Sequence, residues 1–151
     1  MCKSVFVIVV TWNGMKWIKR CLDALHESSY PVKTVVIDNG STDDTVSFIR
    51  DNYPEVHLVE SGKNLGFGQA NNEGMRYALA NCCDYVYLLN QDAYVYPDMF
   101  QLLIDEAEKT ENQEKYAIYS PLHINGNVNK MDKQFKEYLE KMQKEFTDDE
   151  A

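Results

Sequence analysis

The stretch SVFVIVV at residues 4–10 decides the fold, because six of its seven residues are apolar and five of those are β-branched. A continuous apolar run of this kind predicts a strand that is buried on both faces, since a strand with one face in water alternates apolar and polar residues. Strands buried on both faces are typical of parallel sheets covered by helices. The run ends at Thr11-Trp12-Asn13-Gly14, where polar residues begin.

Outward from this strand, short apolar runs alternate with segments of helical periodicity. The further predicted strands cover residues 33–37, 56–59, 84–89 and 116–120. One of the helices, over residues 66–81, should bury a stripe made of Phe67, Ala70, Gly74, Met75, Ala78 and Leu79. Strands that alternate with helices require parallel crossovers. We therefore predict a three-layer α/β/α fold with a mostly parallel sheet.

The sequence pattern changes after Pro121. We predict an α/β ligand-binding domain over residues 1–123, followed by a linker and a charged amphipathic helix over residues 124–151. The apolar stripe of that helix comprises Met131, Phe135, Tyr138, Leu139, Met142 and Phe146. This spacing suits docking on the helix's own domain, and it is also the spacing by which a helix pairs with a partner helix or with a second copy in a homodimer. Both alternatives stay open.

Composition limits the classes of partner. The 151 residues include 15 Lys and Arg against 24 Asp and Glu, a formal net charge of −9. Nucleic-acid binding draws its affinity from clustered basic side chains, so the acidity argues against nucleic acid. The longest apolar run is far shorter than the roughly 20 residues that cross a membrane, and we expect no secretory signal. The four cysteines lack zinc-site spacing, so we expect reduced thiols in a cytoplasmic protein.

Polar side chains gather where the predicted strands end. The carboxyl ends of parallel strands meet at one edge of a sheet, and ligands of such sheets bind beyond that edge. The residues that follow the first four strands are therefore the candidates for a common site. They are Thr11, Trp12, Asn13, Asp38, Asn64, Asn90 and Asp92.

Three of these candidates indicate particular chemistry, and each has a structural alternative. Trp12 can stack on a nucleobase, an interaction of roughly 1–3 kcal/mol, or it can be a rim residue of the core. Asp38 can accept hydrogen bonds from a base or a ribose, or it can form the turn Asp-Asn-Gly-Ser. Asp92, with Asn90 on the same side of an extended segment, suits Mg²⁺ or Mn²⁺ carried by phosphates, or it can cap a turn.

Four segments resemble the successive motifs of glycosyltransferase family 2. They are VIVVTWNG at residues 7–14, VVIDNGSTDDT at 35–45, NLGFGQANNEG at 64–74 and LLNQDAYVYPD at 88–98. The last two forms are most similar to the rhamnosyltransferase-like branch, which builds bacterial surface polysaccharides. The resemblance implies a GT-A fold, a nucleotide-diphosphate sugar as donor and inversion at the anomeric carbon. It also implies that residues 1–123 form the nucleotide-sugar-binding domain.

The resemblance assigns roles to individual residues. Thr11 and Trp12 match the segment that lines the base pocket, and Asp38 matches the acid that reads the base. Asn64 lies in the motif that flanks the nucleotide. Asp92 matches the last acid of the metal-binding DxD motif, which reads Asn90-Gln91-Asp92 in this sequence and so lacks its first acid.

The resemblance covers the half of the polypeptide that binds the donor in family members, and this chain is shorter than members usually are. The carboxylate that deprotonates the acceptor belongs to the other half, so no general base is nominated. As an enzyme, the protein would transfer a sugar to a saccharide or lipid-linked acceptor, either in the cytoplasm or peripherally at the inner face of the membrane. The alternatives are a truncated, non-catalytic nucleotide-binding or protein-interaction module, and an unrelated flavodoxin-like sheet.

Overall fold

The computed structural model describes residues 2–110, 118–124 and 130–148, with side chains described as far as residue 140. The strands are β1 (Val5–Thr11), β2 (Val32–Asp38), β3 (His57–Glu60) and β4 (Tyr85–Asn90). The helices are α1 (Ile18–His26), α2 (Thr45–Asn52), α3 (Phe67–Ala80), α4 (Met99–Lys109) and α5 (Lys133–Asp148). Contacts divide the chain into two compact units, Met1–Glu108 and Lys109–Ala151.

The first unit is built on a four-stranded parallel sheet in the order β3-β2-β1-β4. The stretch that decides the fold forms β1, which lies inside the sheet and pairs with β2 from Val5 opposite Val32 to Thr11 opposite Asp38. All seven residues of β1 are buried, as a strand covered on both faces requires. The carboxyl ends of β1, β2 and β4 therefore meet at one edge.

Two apolar cores flank the sheet, because successive side chains of β1 point to opposite faces. Val5, Val7 and Val9 pack with residues of α1, α2 and α4. Phe6 and Ile8 belong to the other core, which α3 covers. Helices on both faces of a parallel sheet confirm the predicted three-layer α/β/α architecture.

The contact between α3 and β1 is unusually close. A Cβ added to Gly74 would lie 2.3 Å from Cγ2 of Ile8. Only glycine leaves room at this crossing, so the helix backbone rests directly on the sheet. Ala70 and Ala78, one turn before and after Gly74, are fully buried on the same line of the helix.

Two expectations about these elements were wrong. Residues 118–120 belong to no strand, and residues 116 and 117 of the expected fifth strand lie outside the described residues. An apolar run becomes a strand only where its backbone pairs with a neighbouring strand, and no described pairing includes residues 118–120. In α3, Phe67 is 56% exposed and Leu79 is 68% exposed, because the sheet covers only the narrow line through Gly74.

The second unit contains α5 and the segment before it. The backbone of Ile124 forms an antiparallel bridge with that of Met131, and the rings of His123 and Phe135 stack with centroids 4.5 Å apart. Tyr138 of the predicted apolar stripe is exposed, while Met142 and Phe146 lie outside the described side chains. The functional boundary at residue 123 and the role of this helix stay predictions.

The search for membrane-spanning helices gave a negative result over the described residues: none of their helices combines the length and the apolarity that a span needs. All four cysteines are free thiols.

Candidate functional site

A cavity of about 470 Å³ opens at the carboxyl edge of the sheet. Its walls come from the ends of β1 and β4, from the loop after β2 and from the segment that leads into α3. The lining residues are Val10, Trp12, Asn39, Asn64, Gly66, Phe67, Asn90, Gln91 and Asp92. The position agrees with the general rule for ligands of open parallel sheets.

Four of the seven candidate residues line this one cavity, namely Trp12, Asn64, Asn90 and Asp92. The other three, Thr11, Asn13 and Asp38, do not line it, and their side chains hold the surrounding loops through hydrogen bonds. The structure thus places part of the predicted set around the cavity and part of it in the supporting loops.

Trp12 offers the cavity an exposed aromatic face. Its side chain follows directly after β1 and is 52% exposed, although tryptophan has the largest side chain of the twenty amino acids. Its backbone is fixed on both sides, since both its N–H and its C=O bond to the side chain of Gln91. An exposed indole on a fixed backbone is suited to stacking on a planar ligand.

The carboxylate of Asp38 is buried and stabilises the turn after β2. Its Oδ2 accepts hydrogen bonds from the backbone N–H of Gly40 at 3.2 Å and of Ser41 at 3.0 Å. Gly40 has a φ of +85°, a left-handed conformation that glycine adopts without strain. The observed contacts are those of the turn-forming alternative, and the base-reading role of Asp38 stays a prediction.

Asn13 joins the loop after β1 to the loop after β2. Its φ of +47° lies in the left-handed region, where asparagine is one of the better-tolerated residues. Its backbone N–H donates to Oγ of Ser41 at 2.9 Å, and its Oδ1 accepts from the backbone N–H of Thr42 at 2.8 Å. Asn13 therefore supports the edge of the sheet rather than facing the cavity.

Asn39 is a cavity residue that the sequence reasoning missed. Its side chain donates from Nδ2 to Oδ1 of Asn64 at 3.0 Å and accepts at Oδ1 from the backbone N–H of Leu65 at 2.7 Å. Oδ1 of Asn64 also accepts from the N–H of Gly66 at 2.8 Å. The position of Asn39 next to Asp38, at the end of a strand, was a signal that could have identified it.

Among the described residues that line the cavity, Asp92 is the one carboxylate. Within the described residues, no group of three or more His, Cys, Asp or Glu side chains is placed to hold a metal ion by itself. One carboxylate and the amide of Asn90, which lines the same cavity, make a poor zinc site, but they suit a hard cation that obtains further oxygen ligands from phosphates and water. The donor set therefore fits Mg²⁺ or Mn²⁺ bound together with a phosphate-bearing ligand.

Gln91 is the second residue that the sequence reasoning missed. Its Oε1 accepts a hydrogen bond from Oγ1 of Thr11 at 2.7 Å and another from the N–H of Trp12 at 3.1 Å. The extended segment expected over Asn90 to Asp92 ends at Asn90: residues 91 and 92 form a turn, in which the N–H of Ala93 donates to the C=O of Asn90 at 3.0 Å. Alternation along a strand therefore does not predict the contact between Gln91 and the end of β1.

A second cavity, of about 400 Å³, lies near the start of β2 and contains none of the candidate residues. Two histidines that line it have structural partners. His57 stacks on Tyr77 with ring centroids 3.8 Å apart, and His26 lies 3.5 Å from a carboxylate oxygen of Glu55.

Comparison with known proteins gives a consistent family assignment. A model of the family described as Glycosyl transferase family 2 matches residues 6–151. A chondroitin synthase of Escherichia coli is 32% identical over 109 residues, which are 70% of this chain and 15% of that protein. An N-acetylglucosaminyl-diphospho-decaprenol L-rhamnosyltransferase of Mycobacterium tuberculosis is 31% identical over 112 residues, which are 68% of this chain and 36% of that protein.

Solved structures resemble this fold over a similar range. The mannosyltransferase PcManGT from Pyrobaculum calidifontis, in complex with GDP-Man and Mn2+, gives a TM-score of 0.64 at 29% identity over 71% of this chain and 33% of its own. S. aureus TarS 1-349 in complex with UDP-GlcNAc gives 0.62 at 24% identity, over 70% and 32%, and shows the fold alone. The GT-A fold implied by the resemblance is confirmed, and the chain spans between 15% and 36% of the length of these proteins.

Proposed function

This chain belongs to glycosyl transferase family 2, and we propose that the cavity at its sheet edge binds the donor, a sugar linked to a nucleoside diphosphate. The observation that carries the proposal is the convergence of Trp12, Asn64, Asn90 and Asp92 on one hollow of about 470 Å³. That hollow offers an aromatic surface, amide groups and a carboxylate. Nucleotide sugars present a planar base, hydroxyl groups and a charged diphosphate. The aromatic surface suits the base, the amides suit the hydroxyl groups, and the carboxylate suits a cation bound with the diphosphate.

Trp12 is proposed to stack on the nucleobase. The indole is exposed in the cavity, and stacking of this kind contributes roughly 1–3 kcal/mol for one base. Stacking tolerates any base, because every base has a flat π face. Selection among bases then requires hydrogen-bonding groups, and Asn39 and Asn64 are the amides of the cavity on the β2 and β3 side. Thr11, Asn13 and Asp38 are proposed to hold these residues in place.

Asp92, assisted by Asn90, is proposed to hold a divalent cation that would accompany the diphosphate of the donor. Mg²⁺ or Mn²⁺ would stabilise the negative charge that develops on the leaving nucleoside diphosphate. The presence of GDP-Man and Mn2+ in the related PcManGT structure supports this proposal. Because the amide of Asn90 stands beside a single carboxylate, most of the ligands of the ion must come from phosphate and water, so we expect metal and donor to bind together.

Transfer with inversion requires an acceptor hydroxyl and a base within roughly 3 Å of it. Asp92 is the one carboxylate in the cavity lining and is assigned to the metal, so none of the described residues is nominated as the base. The similarity to a rhamnosyltransferase whose name specifies a lipid-linked saccharide supports an acceptor of the saccharide or lipid-linked type, used in surface polysaccharide synthesis. A cytoplasmic or peripheral position at the inner face of the membrane belongs to the same proposal.

Calorimetric titration of UDP, GDP and dTDP, each with and without MnCl₂, tests the proposal. We expect at least one nucleotide to bind, and we expect Mn²⁺ to tighten its binding in the unaltered chain but not in Asp92→Asn. Asp51→Asn, an exposed acid of α2 outside the cavity, is the matched control and should behave as the unaltered chain. If none of the nucleotides binds with or without metal, the proposal is wrong and the protein-interaction alternative is favoured.

Catalytic competence needs a separate measurement. The nucleotide sugar that corresponds to the tightest-binding nucleotide is incubated with the chain and Mn²⁺, and release of the nucleoside diphosphate is followed by chromatography. We expect slow donor hydrolysis, which Asp92→Asn abolishes. Donor binding without any hydrolysis or transfer would restrict the function of these 151 residues to donor recognition.

A further inference from the structure

The side chain of Gln91 connects the two halves of the proposed donor site. Its Oε1 accepts from Thr11 Oγ1 at 2.7 Å and from the N–H of Trp12 at 3.1 Å, while its Nε2 donates to the C=O of Trp12 at 3.3 Å. Three hydrogen bonds therefore join one side chain after β4 to two consecutive residues at the end of β1. Both neighbours of Gln91 in the sequence, Asn90 and Asp92, line the cavity.

We infer that Gln91 is a positioning residue that fixes the stacking surface of Trp12 relative to the carboxylate of Asp92, so that nucleobase and metal-bound diphosphate are held at one fixed spacing. This role rests on the proposed function. Gln91 acts through Trp12 and Asp92 and is given no contact with the donor's reacting atoms.

The hydrogen-bonding capacity of Gln91 matches this role. The end of β1 presents two donors, the hydroxyl of Thr11 and the N–H of Trp12, and one acceptor, the C=O of Trp12. A side-chain amide carries an acceptor oxygen and a donor nitrogen at the same end, so it satisfies all three groups at once. An ionised carboxylate has no donor for the carbonyl, and an apolar side chain satisfies none of the three.

Gly14 has no side chain and so leaves room for the hydrogen bond between Thr11 and Gln91. A Cβ at this position would lie 2.4 Å from Oγ1 of Thr11 and 2.5 Å from Oε1 of Gln91. These two atoms form the shortest of the three hydrogen bonds of Gln91, and both would have to move to accommodate the Cβ. The absence of a side chain at residue 14 is thus an independent feature of the structure that preserves the link between the two loops.

Gln91→Met tests the inference, because methionine has a similar length and no amide. UDP, GDP and dTDP are titrated with and without MnCl₂, as above, into this variant and into Gln101→Met, a matched control on the exposed side of α4. We expect Gln91→Met to lower the affinity for the nucleotide that binds by about tenfold, the effect of losing hydrogen bonds worth about 1.4 kcal/mol in total. We expect that loss both with and without Mn²⁺, whereas Asp92→Asn reduces only the Mn²⁺-dependent part of the affinity.

A measurement on the nucleotide-free protein separates this role from a general loss of stability. With Trp17→Phe as background, the anisotropy decay of the fluorescence of Trp12 reports how firmly the indole is held. We expect Gln91→Met to increase the local motion of Trp12 at a temperature where circular dichroism shows both proteins folded. Should Gln91→Met not fold, Thr11→Val removes one of the three bonds and is expected to produce a smaller loss of affinity, about threefold, with the same rise in Trp12 motion.

Nucleotide affinity within twofold of the unaltered chain, together with unchanged Trp12 motion, would overturn the inference. If the unaltered chain binds no nucleotide, the proposed function fails, and the anisotropy measurement then decides by itself whether Gln91 orders Trp12. Gly14→Ala provides the last comparison, because it should reproduce the increased motion of Trp12 while leaving Gln91 in the sequence.

Discussion

Asn39 donates a hydrogen bond from Nδ2 to Oδ1 of Asn64 over 3.0 Å, and this bond joins the loop after β2 to the loop after β3. The other end of the Asn39 amide accepts from the backbone N–H of Leu65 at 2.7 Å. Asn39 is buried whereas Asn64 is exposed, so both bonds are partly shielded from water. One amide therefore fixes the wall of the cavity opposite the loop that carries Asp92.

Asn39→Ala is expected to destabilise the fold by about 1–3 kcal/mol, because the N–H of Leu65 and the Oδ1 of Asn64 each lose a partner. Chemical denaturation followed by circular dichroism measures the change. Asn72→Ala, at an exposed position of α3, is the control and should change the free energy of unfolding by less than about 0.5 kcal/mol. Equal stability of the two variants would show that Asn39 does not support this wall.

Trp12→Ala is expected to weaken nucleotide binding by about 5-fold to 150-fold, which corresponds to the roughly 1–3 kcal/mol of a base stack. The loss should be the same with and without Mn²⁺, because the base lies away from the metal. Trp17→Ala is the matched control, since Trp17 is also exposed but does not line the cavity. If Trp17→Ala causes the larger loss, the base binds elsewhere.

Most of the first unit could be predicted from the sequence because its signals are local. The continuous apolar run of β1 indicates burial on both faces, and the alternation of strands with helices indicates parallel crossovers. The edge that carries the site follows from the same reasoning. The expected strand at residues 116–120 failed for residues 118–120, because forming a strand depends on a pairing partner that the run itself does not specify.

The side chains of the site were less predictable, because the hydrogen bonds that orient them join residues far apart in the sequence. Thr11 bonds to Gln91 across 80 positions of the chain, and Asn13 bonds to Thr42 across 29. The position of a residue at the end of a strand shows that it lies near the site, but not whether it faces the cavity or another loop. For that reason Gln91 and Asn39 were missed.

Gly74→Ala is expected to destabilise the protein by about 1–3 kcal/mol, because the new methyl group would overlap Cγ2 of Ile8 on a tightly packed face. Gly68→Ala in the same helix is the control. A Cβ at residue 68 meets no atom within 4 Å, so this change should stabilise the helix by about 0.5–1 kcal/mol. The melting temperatures of the two variants should therefore change in opposite directions, Gly74→Ala lowering it and Gly68→Ala raising it. A rise in both melting temperatures would contradict the close contact between α3 and β1.

Cys21 is expected to resist alkylation. Burial, together with the nearby negative charge of Asp92, raises the pKa of its thiol to about 12, so almost none of the reactive thiolate is present at pH 8. Iodoacetamide at that pH should modify the exposed Cys2 and Cys82 and leave Cys21 intact until the protein unfolds. Peptide mass spectrometry of native and denatured samples measures this difference. Rapid labelling of Cys21 in the native protein would show that the region beneath the end of β4 opens readily.

Asn90→Asp is expected to strengthen metal binding, because it adds a second carboxylate beside Asp92 at the cavity. More ligand charge raises the affinity of an oxygen site for a divalent cation, and we expect an increase of about tenfold for Mn²⁺. The same change places two negative charges close together, so the metal-free variant should be less stable than the unaltered chain. Mn²⁺ should then raise its melting temperature by more than it raises that of the unaltered chain, because a ligand that binds only the folded state stabilises it in proportion to the logarithm of its affinity.

Asn72→Asp adds the same charge on the exposed face of α3 and should leave the response to Mn²⁺ unchanged. An equal response of both variants to Mn²⁺ would place the cation away from Asn90 and Asp92.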